Sequence, residues 1–191
     1  MTTKSFWNKI ELDVFDSVYE PREDSFLLAE ALHVPKNSTF LDMGCGCGIQ
    51  SVSVLHQGAQ SALCVDVNAK AVENAVHNAS KFGKCKGRES NLFANVPEKF
   101  DCIAFNAPYV VSESIQERAD DGGKRGREVL NRFLRQMPEH LNARGACYFV
   151  QSSLNGETET KKLLEELKLK GEIVAREKTA FEELQAWRVE K

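Results

Sequence analysis

Short apolar runs alternate with stretches of helical period along most of the chain. "STFLDM" (38–43) reads as a strand, followed by a glycine-rich turn and a helix near 48–57. "SALCVDV" (61–67) reads as a second strand. The helix after it, 69–82, carries Ala71, Val72, Ala75, Val76 and Ala79 at helical spacing. A short third strand is expected within 84–90 and a fourth at "FDCIAFN" (100–106). "GREVLNRFLRQMPEHL" (126–141) reads as a helix with Val129, Leu130, Phe133, Leu134 and Met137 on one face, and "GACYFVQS" (145–152) as a fifth strand. "ETETKKLLEELKLK" (157–170) reads as a helix, acidic at its start and lysine-rich at its end, as the helix dipole favours. "EIVAREK" and "LQAWRVE" form the last two strands.

Strand–helix alternation predicts a parallel sheet with helices on both faces. Only "TAFEE" separates the last two strands, too short for a parallel crossover, so they are expected to pair antiparallel. The predicted fold is α/β, Rossmann-like: a mostly parallel seven-stranded sheet with one antiparallel C-terminal strand. The length of 191 residues fits a single domain over 1–191. In such a sheet ligands bind beyond the carboxyl ends of the strands. The polar segment "SESIQERADDGGKRGR" (112–127) follows the fourth strand and is placed to cover such a site.

Composition adds exclusions. A net charge of −3 argues against a large nucleic-acid footprint. Residues 1–12 hold no apolar core of a secretory leader, and no apolar run approaches membrane-spanning length, so the expected location is the cytoplasm, or the nucleus in a source that has one. The six cysteines form no CxxC pair and no zinc-type spacing, and read as small core fillers in a reducing compartment.

The chemistry gathers at three places. "LDMGCGCGIQ" (41–50) joins strand to helix, with Asp42 at the strand end and Gly44, Gly46 and Gly48 letting main-chain N–H groups approach a ligand. The dinucleotide fingerprint would need Gly or Ala where Ile49 stands. Asp66, ending the next strand, suits ribose hydroxyls. An acid before the glycines favours a ligand with a cationic group over a pyrophosphate, and S-adenosylmethionine carries an ammonium, a sulfonium and a ribose. "SNLF" (90–93) follows the third strand, where Asn91 and Leu92 are candidates to meet an adenine. "NAPY" (106–109) ends the fourth strand. There the Asn106 side-chain oxygen and the carbonyl of residue 107 are two acceptors for the N–H bonds of a planar amine or amide, Pro108 holds residue 107 extended, and Tyr109 can stack on a planar group. Such acceptors orient a nitrogen for in-line attack on a methyl group.

These motifs resemble class I methyltransferases of the HemK type, whose signature is Asn-Pro-Pro-Tyr. "VYEPREDSFLLAEAL" (18–32) resembles the Tyr-Glu-Pro-x-Glu-Asp-Thr segment of the compact eukaryotic and archaeal branch, and "GGKRGREVLNRFL" (122–134) resembles its Gly-Gly…Gly-x-Glu-Val helix start. The similarity covers about residues 14–190. The resemblance implies methylation of the glutamine amide in the Gly-Gly-Gln motif of class I release factors, with some members acting on a histone lysine, and a heterodimer with a small zinc-binding activator. It puts Ser25, Asp42, Gly44, Asp66, Asn91 and Leu92 on cofactor-contacting positions, and Asn106, Pro108 and Tyr109 on the amide clamp. Ala107 stands for the family's first proline, Asn91 for its usual aspartate and Ser25 for its threonine. The competing readings are a nucleic-acid methyltransferase acting on an exocyclic amine such as adenine N6, with phosphates met by Arg118, Lys124, Arg125, Arg127, Arg132 and Arg135, and a cofactor-binding scaffold without chemistry. The short third strand is the candidate edge for an activator.

Overall fold

A computed structural model describes residues 2–109 and 126–191. Its larger sheet has seven strands: β3 (Thr39–Met43), β4 (Ser61–Asp66), β5 (Cys85–Glu89), β6 (Phe100–Asn106), β7 (Leu141–Ser152), β8 (Lys170–Lys178) and β9 (Glu183–Glu190). They lie in the order β5-β4-β3-β6-β7-β9-β8. The pairs from β5 to β7 are parallel, and β9 runs antiparallel to both β7 and β8. The expected architecture is therefore present, including the single reversed strand. The helices are α1 (Glu23–Ala31), α2 (Ile49–His56), α3 (Ala69–Ala79), α4 (Glu128–His140) and α5 (Glu157–Glu166).

Helix α3 ends at Ala79 and α4 begins at Glu128, inside the expected spans, and two further boundaries shift more. Helix α5 stops at Glu166, so Lys168 and Lys170 lie past its end: Lys168 has a positive φ of 57° and Lys170 opens β8. Strand β7 begins at Leu141, where it pairs with Phe100 before a register shift. Most of the polar segment 112–127 lies outside the described residues.

The N-terminal segment forms a hairpin that the strand pattern above does not include, β1 (Thr2–Trp7) paired antiparallel with β2 (Ile10–Phe15). Trp7, Leu12 and Val14 bury against the sheet face that α1 and α2 cover. Two asparagines of α3 fasten it. Asn78 Nδ2 donates to the carbonyls of Asp13 (2.7 Å) and Cys47 (2.9 Å) while its Oδ1 accepts from Asp13 N (3.1 Å). Asn74 makes the same two-way bridge to Asp13 O and Phe15 N, each at 2.8 Å. The hairpin is thus tied to the helix that follows Asp66. On the other face, Phe105, Phe133, Phe149 and Trp187 centre a second core under α4 and α5. The carboxyl ends Met43, Asp66, Glu89 and Asn106 share one edge of the sheet, and the candidate chemistry collects there.

Candidate active site

The loop between β3 and α2 has three glycines in left-handed backbone: Gly44 (φ 63°), Gly46 (φ 50°) and Gly48 (φ 84°). Each does a different job. A Cβ on Gly44 would press on the Phe105 ring at 3.0 Å, and one on Gly48 would lie 2.7 Å from Ala75 Cα, so these two allow close packing. A Cβ on Gly46 would meet no protein atom nearer than the Tyr19 carbonyl at 4.0 Å, because Gly46 borders open space.

That space is an open cleft. Its walls come from Tyr19, Pro21 and Ser25 on one side, the glycine loop with Ile49 and Gln50 beneath, and Asn106 at the end of β6. Four of the sequence-predicted residues, Ser25, Gly44, Gly46 and Asn106, therefore line one cleft. Pro108 and Tyr109 follow Asn106 closely and are half-buried. Asp66 borders the glycine loop: its carboxylate accepts from Gly46 N (3.2 Å) and Asn68 N (2.9 Å), while burial raises its pKa against the pull of those two N–H groups.

Three predicted residues play other parts. Asp42 is 1% exposed and does not line the cleft. Its Oδ2 accepts from Ser51 N (3.0 Å) and Ser51 Oγ (2.7 Å), capping α2 from beneath the loop. The cationic-group partner expected of Asp42 is thus replaced by a helix N-terminus, which attracts the same charge. Asn91 is exposed and its Oδ1 accepts from Arg132 (3.1 Å), so the oxygen expected to read an adenine is engaged by α4. Leu92 is buried with φ 51°, an uncommon conformation for its type, in a segment tied to the edge of β4 by Ser90 N donating to Asp66 O (2.9 Å). The basic cluster also disperses among the described residues. Arg127 is buried and gives its guanidinium to the carbonyls of Asn155 (2.8 Å) and Gly156 (3.0 Å) and to Thr160 and Asn131, and Arg135 pairs with Glu166 at 3.5 Å. Arg118, Lys124 and Arg125 lie outside the described residues.

Burial pushes the Asp42 carboxyl up to about 7 from its ordinary 3.8, outweighing the Ser51 hydrogen bonds that pull it down. The folded state thus holds a proton that the unfolded polypeptide has already released. Its contribution to stability is complete below about pH 4 and lost as the pH rises through 7, at roughly 1 kcal/mol per pH unit. Urea melts between about pH 4.5 and 8 are expected to show this decline, and Asp42→Asn to flatten it. An unchanged slope in that variant would place the titration elsewhere.

Several working residues are given no role by the sequence reading. Asp24 is buried, and receives Tyr19 Oη at 3.1 Å and Tyr109 Oη at 3.4 Å. Asn155 Nδ2 donates to the Tyr109 carbonyl (3.0 Å) and fixes the backbone just after the amide cluster. Gln50 Nε2 donates to Ser25 O (3.0 Å), and its Oε1 is buried with no protein partner. Asn106 Oδ1 is in the same state, while its Nδ2 donates to Ser25 Oγ (3.1 Å). Two buried acceptors in one cleft with nothing to accept from mark the places where ligand N–H groups belong, because an unpaired buried carbonyl costs roughly 1–3 kcal/mol. The open face of Gly46, the Asp66 carboxylate and these two acceptors suit a ligand bearing hydroxyls and an ammonium. The six cysteines carry no disulfide, and the described residues hold no cluster able to bind a metal ion.

Known proteins share both the sequence and the fold. The methyltransferase small domain family matches residues 17–181. A protein of Methanocaldococcus jannaschii, provisionally named a protein N5-glutamine methyltransferase, is 43% identical over 190 residues, covering 94% of this chain and 96% of its own. Human methyltransferase HEMK2 is 30% identical, with 87% and 86% covered. Among solved structures, the Mtq2–Trm112 complex of E. cuniculi, described as responsible for methylating the eRF1 translation termination factor, aligns with a TM-score of 0.73. It is 25% identical and covers 91% of this chain and 98% of that one.

Proposed function

The chain belongs to the methyltransferase small domain family, and from that premise we propose that it methylates the side-chain amide nitrogen of glutamine in the Gly-Gly-Gln motif of a class I release factor. The observation that carries this reading is Asn106 Oδ1, a buried acceptor without a protein partner at the mouth of the glycine-loop cleft. S-adenosylmethionine supplies the methyl group. The open face of Gly46 would let it lie along the loop backbone, whose Cys45 and Gly46 N–H groups are held by Val65 O and Asp66, the Asp66 carboxylate would meet its ribose, and Gln50 Oε1 is the acceptor available to its ammonium. Asn106 Oδ1 and the carbonyl of Ala107 take the two N–H bonds of the incoming amide. Directing both protons to acceptors turns the nitrogen's remaining lobe toward the methyl group and weakens its conjugation with the amide carbonyl. Pro108 keeps residue 107 extended, as in the family's double-proline form. Tyr109 walls the planar amide.

Residues 1–191 work as one methyltransferase domain in this reading. Its partners are the release factor and, by analogy with the Mtq2–Trm112 complex of E. cuniculi, a second subunit, which the family resemblance makes small and zinc-binding. Among the described residues the edge strand β5 pairs only with β4, which leaves its outer side open to that subunit. Among the described residues no helix is long and apolar enough to cross a membrane, and the substrate belongs to the cytoplasm. A nucleic-acid substrate is disfavoured by the net charge of −3 and by Arg127, whose guanidinium is buried and committed within the protein.

Incubation with S-adenosylmethionine and purified termination factor, with and without the small subunit, is expected to add one methyl to the Gly-Gly-Gln peptide by mass spectrometry. A lysine-bearing histone tail and oligonucleotides across a salt series serve as competing acceptors. Methyl incorporation into either of those, with none in the glutamine peptide, would replace this reading.

A further inference from the structure

Asn106 can offer the cleft either an oxygen or an NH₂, depending on which way its amide is turned. We propose that Asp24 and Ser25 form a one-way hydrogen-bond relay that locks this amide with its oxygen toward the cleft, and so makes the site select a carboxamide over a carboxylate. The inference rests on the glutamine-methylating reading above and deepens it.

The series of bonds runs from α1 to β6. Asp24 Oδ1 accepts from Ser25 N (2.6 Å) and from Ser25 Oγ (3.1 Å). Ser25 Oγ accepts from Asn106 Nδ2 (3.1 Å). A serine hydroxyl has one proton, and an ionised carboxylate has none to give. The Ser25 proton therefore goes to Asp24, because a charge-assisted bond outcompetes one to a neutral amide oxygen. What Ser25 has left is a lone pair, so the Asn106 atom facing it must be the NH₂. The oxygen is then the atom left for the cleft.

Burial enforces the direction. Asp24 and Ser25 are each 3% exposed, so water reaches the relay only from the cleft that Ser25 lines. The other oxygen of Asp24 is occupied by the hydroxyls of Tyr19 and Tyr109, the first lining the cleft and the second flanking Asn106. One carboxylate thus sets both the polarity of the Asn106 amide and the position of the Tyr109 ring. Asp24 acts only through these neighbours and is a positioning residue.

The polarity has a chemical consequence. With Oδ1 presented, an acceptor bearing two N–H bonds is bound and a carboxylate is repelled. With the amide reversed, the preference inverts. Glutamine and glutamate differ by little else, so the relay is the discriminating element.

Two measurements separate this from a general structural role. In ¹⁵N-labelled protein, hydrogen exchange of the Asn106 side-chain NH₂ is expected to be slow in the wild type and in Ser25→Thr, and about 10-fold faster or more in Ser25→Ala. This readout needs no substrate. In turnover assays with the termination factor, Ser25→Ala and Asp24→Asn are expected to lose about 10–100-fold in kcat with little change in KM for the methyl donor, and Ser25→Thr to be near wild type. A factor carrying Gly-Gly-Glu is expected to become a better competitive inhibitor of Ser25→Ala and Asp24→Asn than of the wild type. Equal exchange in Ser25→Ala and wild type, or lost turnover with an unchanged glutamine-to-glutamate preference, would overturn the relay. A wild-type enzyme with slow Asn106 exchange but no glutamine methylation would leave the relay standing and remove the substrate reading.

Discussion

Asn106→Ala is expected to lower kcat on the termination factor by about 10²–10³-fold, the effect of removing one preorganised polar group from a transition state. Methyl-donor affinity is expected to change far less, because the glycine loop and Asp66 are untouched. The same substitution should leave the protein as stable as before. It removes one hydrogen bond, Asn106 Nδ2 to Ser25 Oγ, worth about 1 kcal/mol. It also removes a buried oxygen that has no protein partner and costs a comparable amount in the unliganded state. A polar group whose net contribution to the free protein is near zero, yet which lines the cleft, is retained for what it binds. Thermal melting with calorimetric titration of S-adenosylmethionine checks both halves. Loss of stability with turnover intact would make Asn106 a structural residue and end the clamp proposal.

The residues that make this site legible are those whose role is local. The strands at 61–66 and 100–106 end at Asp66 and Asn106 because parallel strands point their carboxyl ends at one edge, and the glycine spacing reports a turn that only small residues can make. The hairpin is different in kind. The alternation of Ile10, Leu12 and Val14 is local, but its docking depends on Asn74 and Asn78, which sit 61 to 65 positions away on a helix and look like surface residues in sequence. Arg127 poses the same difficulty. In sequence it belongs to a basic run, and only the fold reveals that its guanidinium satisfies the carbonyls of Asn155 and Gly156 where α5 begins. For Asp42 and Asn91 the pattern locates the sheet edge but not the direction of the side chain, since a strand-end carboxylate has equal chemical reason to meet a ligand or a helix N-terminus. Asp24 stands in the segment that resembles Tyr-Glu-Pro-x-Glu-Asp-Thr, but the resemblance gives it no role. A carboxylate among "PREDS" reads as solvated, and its burial beside two tyrosines follows from how α1 packs, which is a tertiary fact.

The glycine loop yields the second large effect, and it separates packing from binding at two positions of one motif. Gly48→Ala is expected to destabilise the fold by roughly 3 kcal/mol, about 1 from forcing a side chain into left-handed backbone and the rest from overpacking. Its Cβ would sit 2.7 Å from Ala75 Cα and 3.0 Å from Ala75 O, which are backbone atoms of α3 with no rotamer to yield. Helices α2 and α3 must move apart, and the melting temperature is expected to fall by about 6–12 °C for a protein of this size. Gly46→Ala bears the same left-handed strain but meets no protein atom nearer than 4.0 Å, so its cost to stability is expected to stay near ~1 kcal/mol. Its methyl group instead enters the cleft that Gly46 borders, where the methyl donor must approach the backbone. Donor affinity is therefore expected to fall at least ~10-fold in Gly46→Ala, a loss of about 1.4 kcal/mol in binding. The two variants should thus dissociate: one melts early, the other melts nearly normally and fails to bind. Equal melting temperatures would mean that α3 is not braced on residue 48. Normal binding by Gly46→Ala would mean that the donor does not lie along this loop, and the assignment of the cleft would fall with it.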